Sequence, residues 1–245
     1  MDLPQHTREY RCHHLDGSRW AHYRKRDDDI IVATSYKAGT TWAQGIVANM
    51  LFPDGNMPAP PSEMSPWLDS NLFPLDVALD RLDSQQHRRF IKTHLPLDGI
   101  PFYDDLKYIY VSRDGRDVFM SLWNHYGNYT DQMYEALDSR PGYENEPFPR
   151  CPEDIHEFWA GWVGRSYFDW QQGGWPFWSH LNNVQTWWQY RDLPNIEFFH
   201  YADARVSRLA GVWTFCTRLI SKRVMSQPVR TYGEFGNSLL HPAPF

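Results

Sequence analysis

The sequence predicts an α/β fold: a single domain, residues 1–245, with a central parallel sheet flanked by helices. Three observations predict it. Four short runs read as strands, at 30–34, 89–94, 107–112 and 196–201, and those at 30–34 and 107–112 are nearly continuously apolar rather than alternating. Segments with apolar residues at helical spacing separate them, as in βαβ units. A chain of 245 residues with 42% apolar content is also long enough to bury one large core.

The elements follow in order. Residues 1–29 are polar and end in the acidic turn Asp27-Asp28-Asp29. Ile30 to Thr34 is the first strand. From Thr40, Trp42, Ile46 and Met50 recur every four residues, as do Val47 and Leu51, which predicts a helix. Pro53 and Asp54-Gly55 stop it, and a Pro-rich loop covers 53–66. Val77 to Leu82 reads as a short helix. Arg89 to His94 is the second strand, ended by Pro96, and Lys107 to Ser112 is the third. A helix carrying Val118, Phe119, Leu122, Trp123 and Tyr126 follows. Residues 127–154 read as a long polar loop of the kind that forms lids or binding loops. Ile155 to Trp170 and His180 to Arg191 read as aromatic helices, and Ile196 to Tyr201 as the fourth strand.

Composition narrows the function. A net charge of −6 argues against nucleic-acid binding, although a local basic pocket remains compatible with it. Cys12, Cys151 and Cys216 are too few and too scattered for a disulfide framework, which fits a reducing compartment. None has the spacing of a zinc site, and no metal is expected. Met1 to Arg11 is polar, and no apolar run approaches a membrane span. A cytoplasmic protein without a membrane span is the expectation.

The chemistry concentrates at strand ends, where ligands of parallel sheets bind. In Ser35-Tyr36-Lys37-Ala38-Gly39-Thr40-Thr41, Gly39 permits a tight turn and the amides of residues 38–41 can face an anion. Lys37, Thr40 and Thr41 add a cation and hydroxyls. A plain strand–helix turn capped by Thr explains the same residues. The Walker order is absent, because Lys37 precedes Gly39. The turn Ser112-Arg113-Asp114-Gly115 repeats the strand–turn–helix arrangement, so a second phosphate is expected at a second helix N-terminus. Arg113 suits a phosphate, or pairs with Asp114 or Asp117. Ser121 is either turned toward a ligand or solvent-facing. His94, after Lys92-Thr93 at a strand end, has the unperturbed pKa of a general base. His125 and His180, on aromatic helices, read as packed or hydrogen-bonded residues.

These pieces resemble the cytosolic-type sulfotransferase family over about residues 20–203. Tyr36 to Trp42 resembles its phosphosulfate loop, Lys92-Thr93-His94-Leu95-Pro96 its catalytic histidine segment, and Tyr108 to Ser121 its 3′-phosphate motif. Trp178-Ser179-His180-Leu181, Trp187-Trp188 and Phe198-Phe199-His200-Tyr201 resemble its middle region. The resemblance implies a P-loop-like fold and the co-substrate 3′-phosphoadenosine 5′-phosphosulfate (PAPS), which leaves as 3′-phosphoadenosine 5′-phosphate (PAP). It implies that Lys37, Ala38, Gly39, Thr40 and Thr41 hold the phosphosulfate, with Lys37 stabilising the leaving phosphate. Trp42 stacks on adenine, Tyr201 approaches its edge, and Arg113 with Ser121 binds the 3′-phosphate. His94 is the base and Lys92 assists. The expected partner is a small apolar or aromatic alcohol, or an amine. The loops at 53–68 and 127–154 and the aromatics Phe158, Trp159 and Trp162 are candidates for its pocket, the aromatics equally for core. A homodimer is compatible with the sequence.

The tail departs from the family. Residues 204–245 hold six Lys/Arg and one acid, Glu234, against the acidic remainder. The family's basic Arg-Lys-Gly-type closing segment is not found there. A divergent ending and a tail translated in an altered frame both fit. Two alternatives to the enzyme follow: a non-catalytic or impaired PAPS/PAP-binding homologue, and a P-loop nucleotide kinase, which the missing Walker order disfavours.

Overall fold

A computed structural model of the protein describes residues 2–143 and 145–202. The atypical segment 204–245 lies outside them. The described residues contain a parallel sheet of four strands: β1 (Ile30–Thr34), β2 (Phe90–Thr93), β3 (Lys107–Ser112) and β4 (Ile196–His200). Their order is β2-β1-β3-β4. Ile30 is in register with Phe90 and Lys107, and Ser112 with His200, so the carboxyl ends of all four strands meet at one edge.

Every residue of β1 is buried, because both faces of the sheet are covered. Ile30 and Val32 pack with Phe90, Ile109 and Val111 against α1 (Thr40–Leu51), which contributes Ala43, Ile46 and Val47. Ile31 and Ala33 face the larger core, which includes Tyr108, Tyr110, Leu122 and Trp187. Tyr110 stacks on Trp187 at 5.1 Å and donates to Asn183 Oδ1 at 2.7 Å, so its hydroxyl is not left unpaired in the core. At the foot of the sheet the buried Arg89 guanidinium binds both carboxylate oxygens of buried Asp29, at 2.8 and 2.5 Å. Tyr23 also donates to Asp29, and this satisfied cluster fixes where β1 and β2 begin.

The remaining helices are α2 (Pro61–Met64), α3 (Leu75–Asp83), α4 (Gly115–Gly127), α5 (Asp131–Asp138), α6 (Ile155–Gly164) and α7 (His180–Trp188). Three differ from expectation. The Pro-rich segment 53–66, read as a loop, contains the single turn α2. The polar segment 127–154 contains α5, whose N-cap Thr130 accepts from the Met133 amide at 3.2 Å and whose Leu137 is fully buried. The helix expected to reach Trp170 stops at Gly164. Arg165 turns extended, its amide bonds Gly161 O at 2.9 Å, and its guanidinium lies 4.1 Å over the Trp175 ring. Phe168 and Trp170, inside the range expected to be helical, pack edge-on against Tyr10 instead. Tertiary packing overrides local periodicity there. No helix among the described residues is long and apolar enough to cross a membrane.

Candidate active site

β1 delivers the first loop. Thr34, its last residue, is followed by a backbone that turns through Lys37 at φ 64° and Gly39 at φ 113° before α1 begins. Left-handed lysine is uncommon and costs of the order of 1 kcal/mol, a strain that recurs at functional sites. Gly39 is required twice over. Its φ disfavours any side chain, and a Cβ there would stand 2.7 Å from the Tyr201 ring. As the N-cap of α1, Gly39 offers no side-chain acceptor, so the first-turn amides of the helix remain available to an anion. The Ala38 amide is engaged differently: it donates to Ser35 O at 3.2 Å and closes the turn.

β3 delivers the second loop, and here the structure corrects the sequence reading. The N-terminus of α4 is capped by its own Asp114, which accepts from the Arg116 amide at 2.9 Å. It does not offer bare amides to a phosphate. The anion-binding capacity of this turn resides in side chains. Arg113 lies half-buried, with its guanidinium 4.8 Å over the Tyr201 ring and Nη1 donating to Lys37 O at 3.3 Å. Its Nε is buried without a hydrogen-bond partner among the described residues; Asp117 stands 3.6 Å away. His180 ties the two loops together, contacting Ser35 Oγ at 2.6 Å through Nδ1 and Arg113 O at 3.1 Å through Nε2.

β2 delivers His94. His94 is buried at the strand's end, with Nδ1 3.0 Å from the Thr34 carbonyl and 3.2 Å from its hydroxyl. A carbonyl only accepts, so the neutral ring carries its proton on Nδ1 and its lone pair on Nε2. Burial foremost, then the Lys92 charge, holds the ring neutral far below its ordinary pKa. Lys92 lies 4.4 Å over the Trp67 ring and is lowered to about 8, mainly by burial. Burial, then Arg113, also lowers Lys37. Beneath them the fully buried Asp69 accepts from Trp20 Nε1 at 2.9 Å, from Trp67 Nε1 and from Thr93 Oγ1. The Thr34 hydroxyl meets Thr40 Oγ1 at 2.5 Å, which links His94 and first loop.

One cavity of about 360 Å³ gathers these groups: Lys37, Gly39, Thr40, Thr41, Trp42, Lys92, His94, Arg113, Ser121 and Tyr201, together with Tyr36, Trp67 and His125. Every site residue expected from the sequence lines it except Ala38. Phe158, Trp159 and Trp162 do not line it; Phe158 and Trp162 are core and Trp159 is partly exposed on α6. Three lining residues had not been singled out as site residues. Trp67 enters from the Pro-rich loop. Tyr36 lies within the motif itself. His125 stands four residues beyond Ser121, hence on the same face of α4, and that spacing was its sequence signature.

The sulfotransferase domain model matches residues 27–206. The chain belongs to the sulfotransferase family. Its sequence is 36% identical over 220 residues to a glycolipid sulfotransferase of Mycobacterium bovis, covering 82% of this chain and 66% of that protein. The chain thus spans just under two thirds of that relative's length. Its fold resembles the mouse sulfotransferase SULT7A1 complexed with PAP, with a TM-score of 0.58, 18% identity, and 84% of this chain and 62% of that one covered. It also resembles retinol dehydratase in a complex with retinol and PAP, at a TM-score of 0.55 and 21% identity, covering 83% of this chain and 62% of that one. For this sulfotransferase-family chain, the question is whether the cavity suits such a nucleotide. The uncapped start of α1 offers amides to an anion, and the half-buried Arg113 guanidinium, ion-paired with Asp117 at 3.6 Å and without a hydrogen bond at Nε among the described residues, adds a cation beside it.

Proposed function

We propose that this protein transfers a sulfuryl group from PAPS to a hydroxyl of a small-molecule acceptor. The donor supplies the activated sulfuryl group. Lys37, Thr40, Thr41 and the α1 amides hold its 5′ end, Arg113 and Ser121 its 3′-phosphate, and Trp42 with Tyr201 its base. His94 Nε2 takes the proton of the acceptor hydroxyl as that oxygen bonds to sulfur. Lys37 stabilises the charge left on the departing phosphate, and Lys92 adds positive potential beside it. Sulfuryl transfer, like phosphoryl transfer, is mostly positioning and charge stabilisation, and these residues supply both. Three scattered cysteines, of which the described Cys12 and Cys151 are free, accord with a cytoplasmic setting.

The observation that carries the proposal is the anchoring of His94 Nδ1 on Thr34 at 3.0 Å, in a cavity shared with Lys37 and Arg113. His94→Ala is expected to lower transfer by at least about 10²-fold while leaving PAP affinity, measured by calorimetry, within about twofold. Equal loss of transfer and PAP affinity would remove His94 as the base. A wild-type protein that binds PAP without transferring to any alcohol or phenol would instead be the non-catalytic homologue. A preference for ATP with magnesium over PAP would indicate the kinase.

A further inference from the structure

The cavity holds a second imidazole that the proposed chemistry does not use. His125 lines the same cavity as His94, and the Tyr36 ring stands between the two. Tyr36 lies edge-on to His94 at a centroid distance of 5.3 Å and edge-on to His125 at 5.5 Å. The Tyr36 hydroxyl meets His125 Nε2 at 2.8 Å. Tyr129 stands edge-on behind His125 at 5.2 Å, and its own hydroxyl lies 3.1 Å from His14 Nε2. The His125 ring is therefore held by one hydrogen bond and two aromatic edge contacts. Its Nδ1 makes no hydrogen bond among the described residues, and it is not a sealed, unsatisfied atom. A neutral imidazole with one nitrogen engaged presents the other as donor or acceptor. Burial, then Lys37 and Lys92, lowers His125 to about 4, so it is neutral at working pH.

A packing role alone does not account for this arrangement. An apolar acceptor pocket is best walled by apolar rings, and Trp67 supplies one. An imidazole that lines the cavity and is fixed by a second residue is what a site needs to recognise a particular oxygen. Its position is limited: it is one tyrosine ring away from the base.

We propose that His125, held by Tyr36, is a specificity-determining residue that hydrogen-bonds a second hydroxyl of the acceptor, close to the one that is sulfated. The acceptor class is then a diol or polyol of the kind a sugar ring presents, with an apolar portion against Trp67. This proposal rests on the sulfuryl-transfer function above and narrows its acceptor from simple alcohols to polyhydroxyl ones.

The test compares cyclohexanol with cis-cyclohexane-1,2-diol and cis-cyclohexane-1,3-diol, which have similar bulk. Two quantities are measured: kcat/KM for sulfuryl transfer from PAPS, and affinity for the protein already saturated with PAP. The better diol is expected to exceed cyclohexanol about tenfold in both, as sites built to bond a hydroxyl discriminate against its absence. His125→Phe should bring that ratio near one, and His125→Gln, which retains an amide, should keep part of it. A wild-type ratio near one, or a ratio unchanged in His125→Phe, overturns the proposal. The affinity measurement does not need turnover. A diol preference without any transfer would therefore support the subsite while the sulfuryl-transfer function failed.

Discussion

Asp69 is the residue whose chemistry is most out of place for its burial. It is fully buried, with no cation bonded to it, and burial pushes its carboxyl up from the ordinary value. It nevertheless accepts from two tryptophan indoles and the Thr93 hydroxyl, and these bonds oppose that push. Trp67 is the platform under Lys92, and Thr93 lies between Lys92 and His94, so Asp69 braces the end of β2 from below. Its charge also raises Lys92 against the effect of burial. Asp69→Asn replaces one acceptor oxygen with an NH₂, which cannot accept from the indoles or from Thr93. A stability loss of about 2–3 kcal/mol is expected, that of a buried unsatisfied polar group. In whatever folded protein remains, the Lys92 pKa should fall further, which a pH titration of Lys92 by NMR would detect. Undiminished stability in urea would show that the carboxylate is not needed there. Asp69 was not legible in the sequence, because an acid in a Pro-rich loop looks solvated until the fold closes over it. His94, Lys37 and Arg113 were legible, because strand ends of a parallel sheet converge whatever the packing.

At the scale of elements, the two strand–turn–helix units look alike in sequence and differ in how they offer positive charge. The α1 unit opens with Gly39, which carries no capping side chain and leaves amides for a ligand. The α4 unit opens with Asp114, which caps its own helix, so on the proposed function the anion falls to Arg113 and Ser121, which line the cavity. A capping Asp and a missing cap are both visible in the sequence, but which one governs a turn depends on local geometry. The same limit applies to α6. Phe168 and Trp170 fall inside the range expected to be helical, and only their contacts with Tyr10 show that the chain has already turned back. The first unit can be tested directly. Gly39→Ala must accept φ 113° and place a methyl 2.7 Å from the Tyr201 ring. It should cost about 1–3 kcal/mol in stability and weaken PAP binding at least tenfold by displacing Tyr201. Adding Tyr201→Ala should relieve the steric part of the stability loss and leave the backbone part. A Gly39→Ala protein with wild-type PAP affinity would refute the close approach as a requirement.

For the whole molecule, burial of several imidazoles makes pH a determinant of folding. Burial lowers His14 to about 3, with His13, His125 and Arg140 adding to the effect, and His125 to about 4; His94 and His180 are lowered too. In the unfolded chain these rings titrate near 6.5. Between the folded and unfolded values the unfolded state binds more protons, so stability rises with pH across that window and is lost as pH falls through it. The window runs from about 6.5 down to about 4 for His125 and to about 3 for His14. Within it each buried neutral histidine contributes a slope of up to about 1.4 kcal/mol per pH unit, with His125, which is half-buried, contributing less. Marginal stabilities of about 5–15 kcal/mol cannot absorb several such slopes at once. The urea midpoint should therefore drop steeply between pH 6.5 and 5, before most carboxylates protonate. His14→Gln lies outside the cavity and cannot titrate. It should reduce the slope by the share of one histidine, whatever its effect on stability at pH 7. A midpoint flat from pH 7 to 5, or a slope unchanged in His14→Gln, would mean that these rings are hydrated and charged more readily than their packing implies.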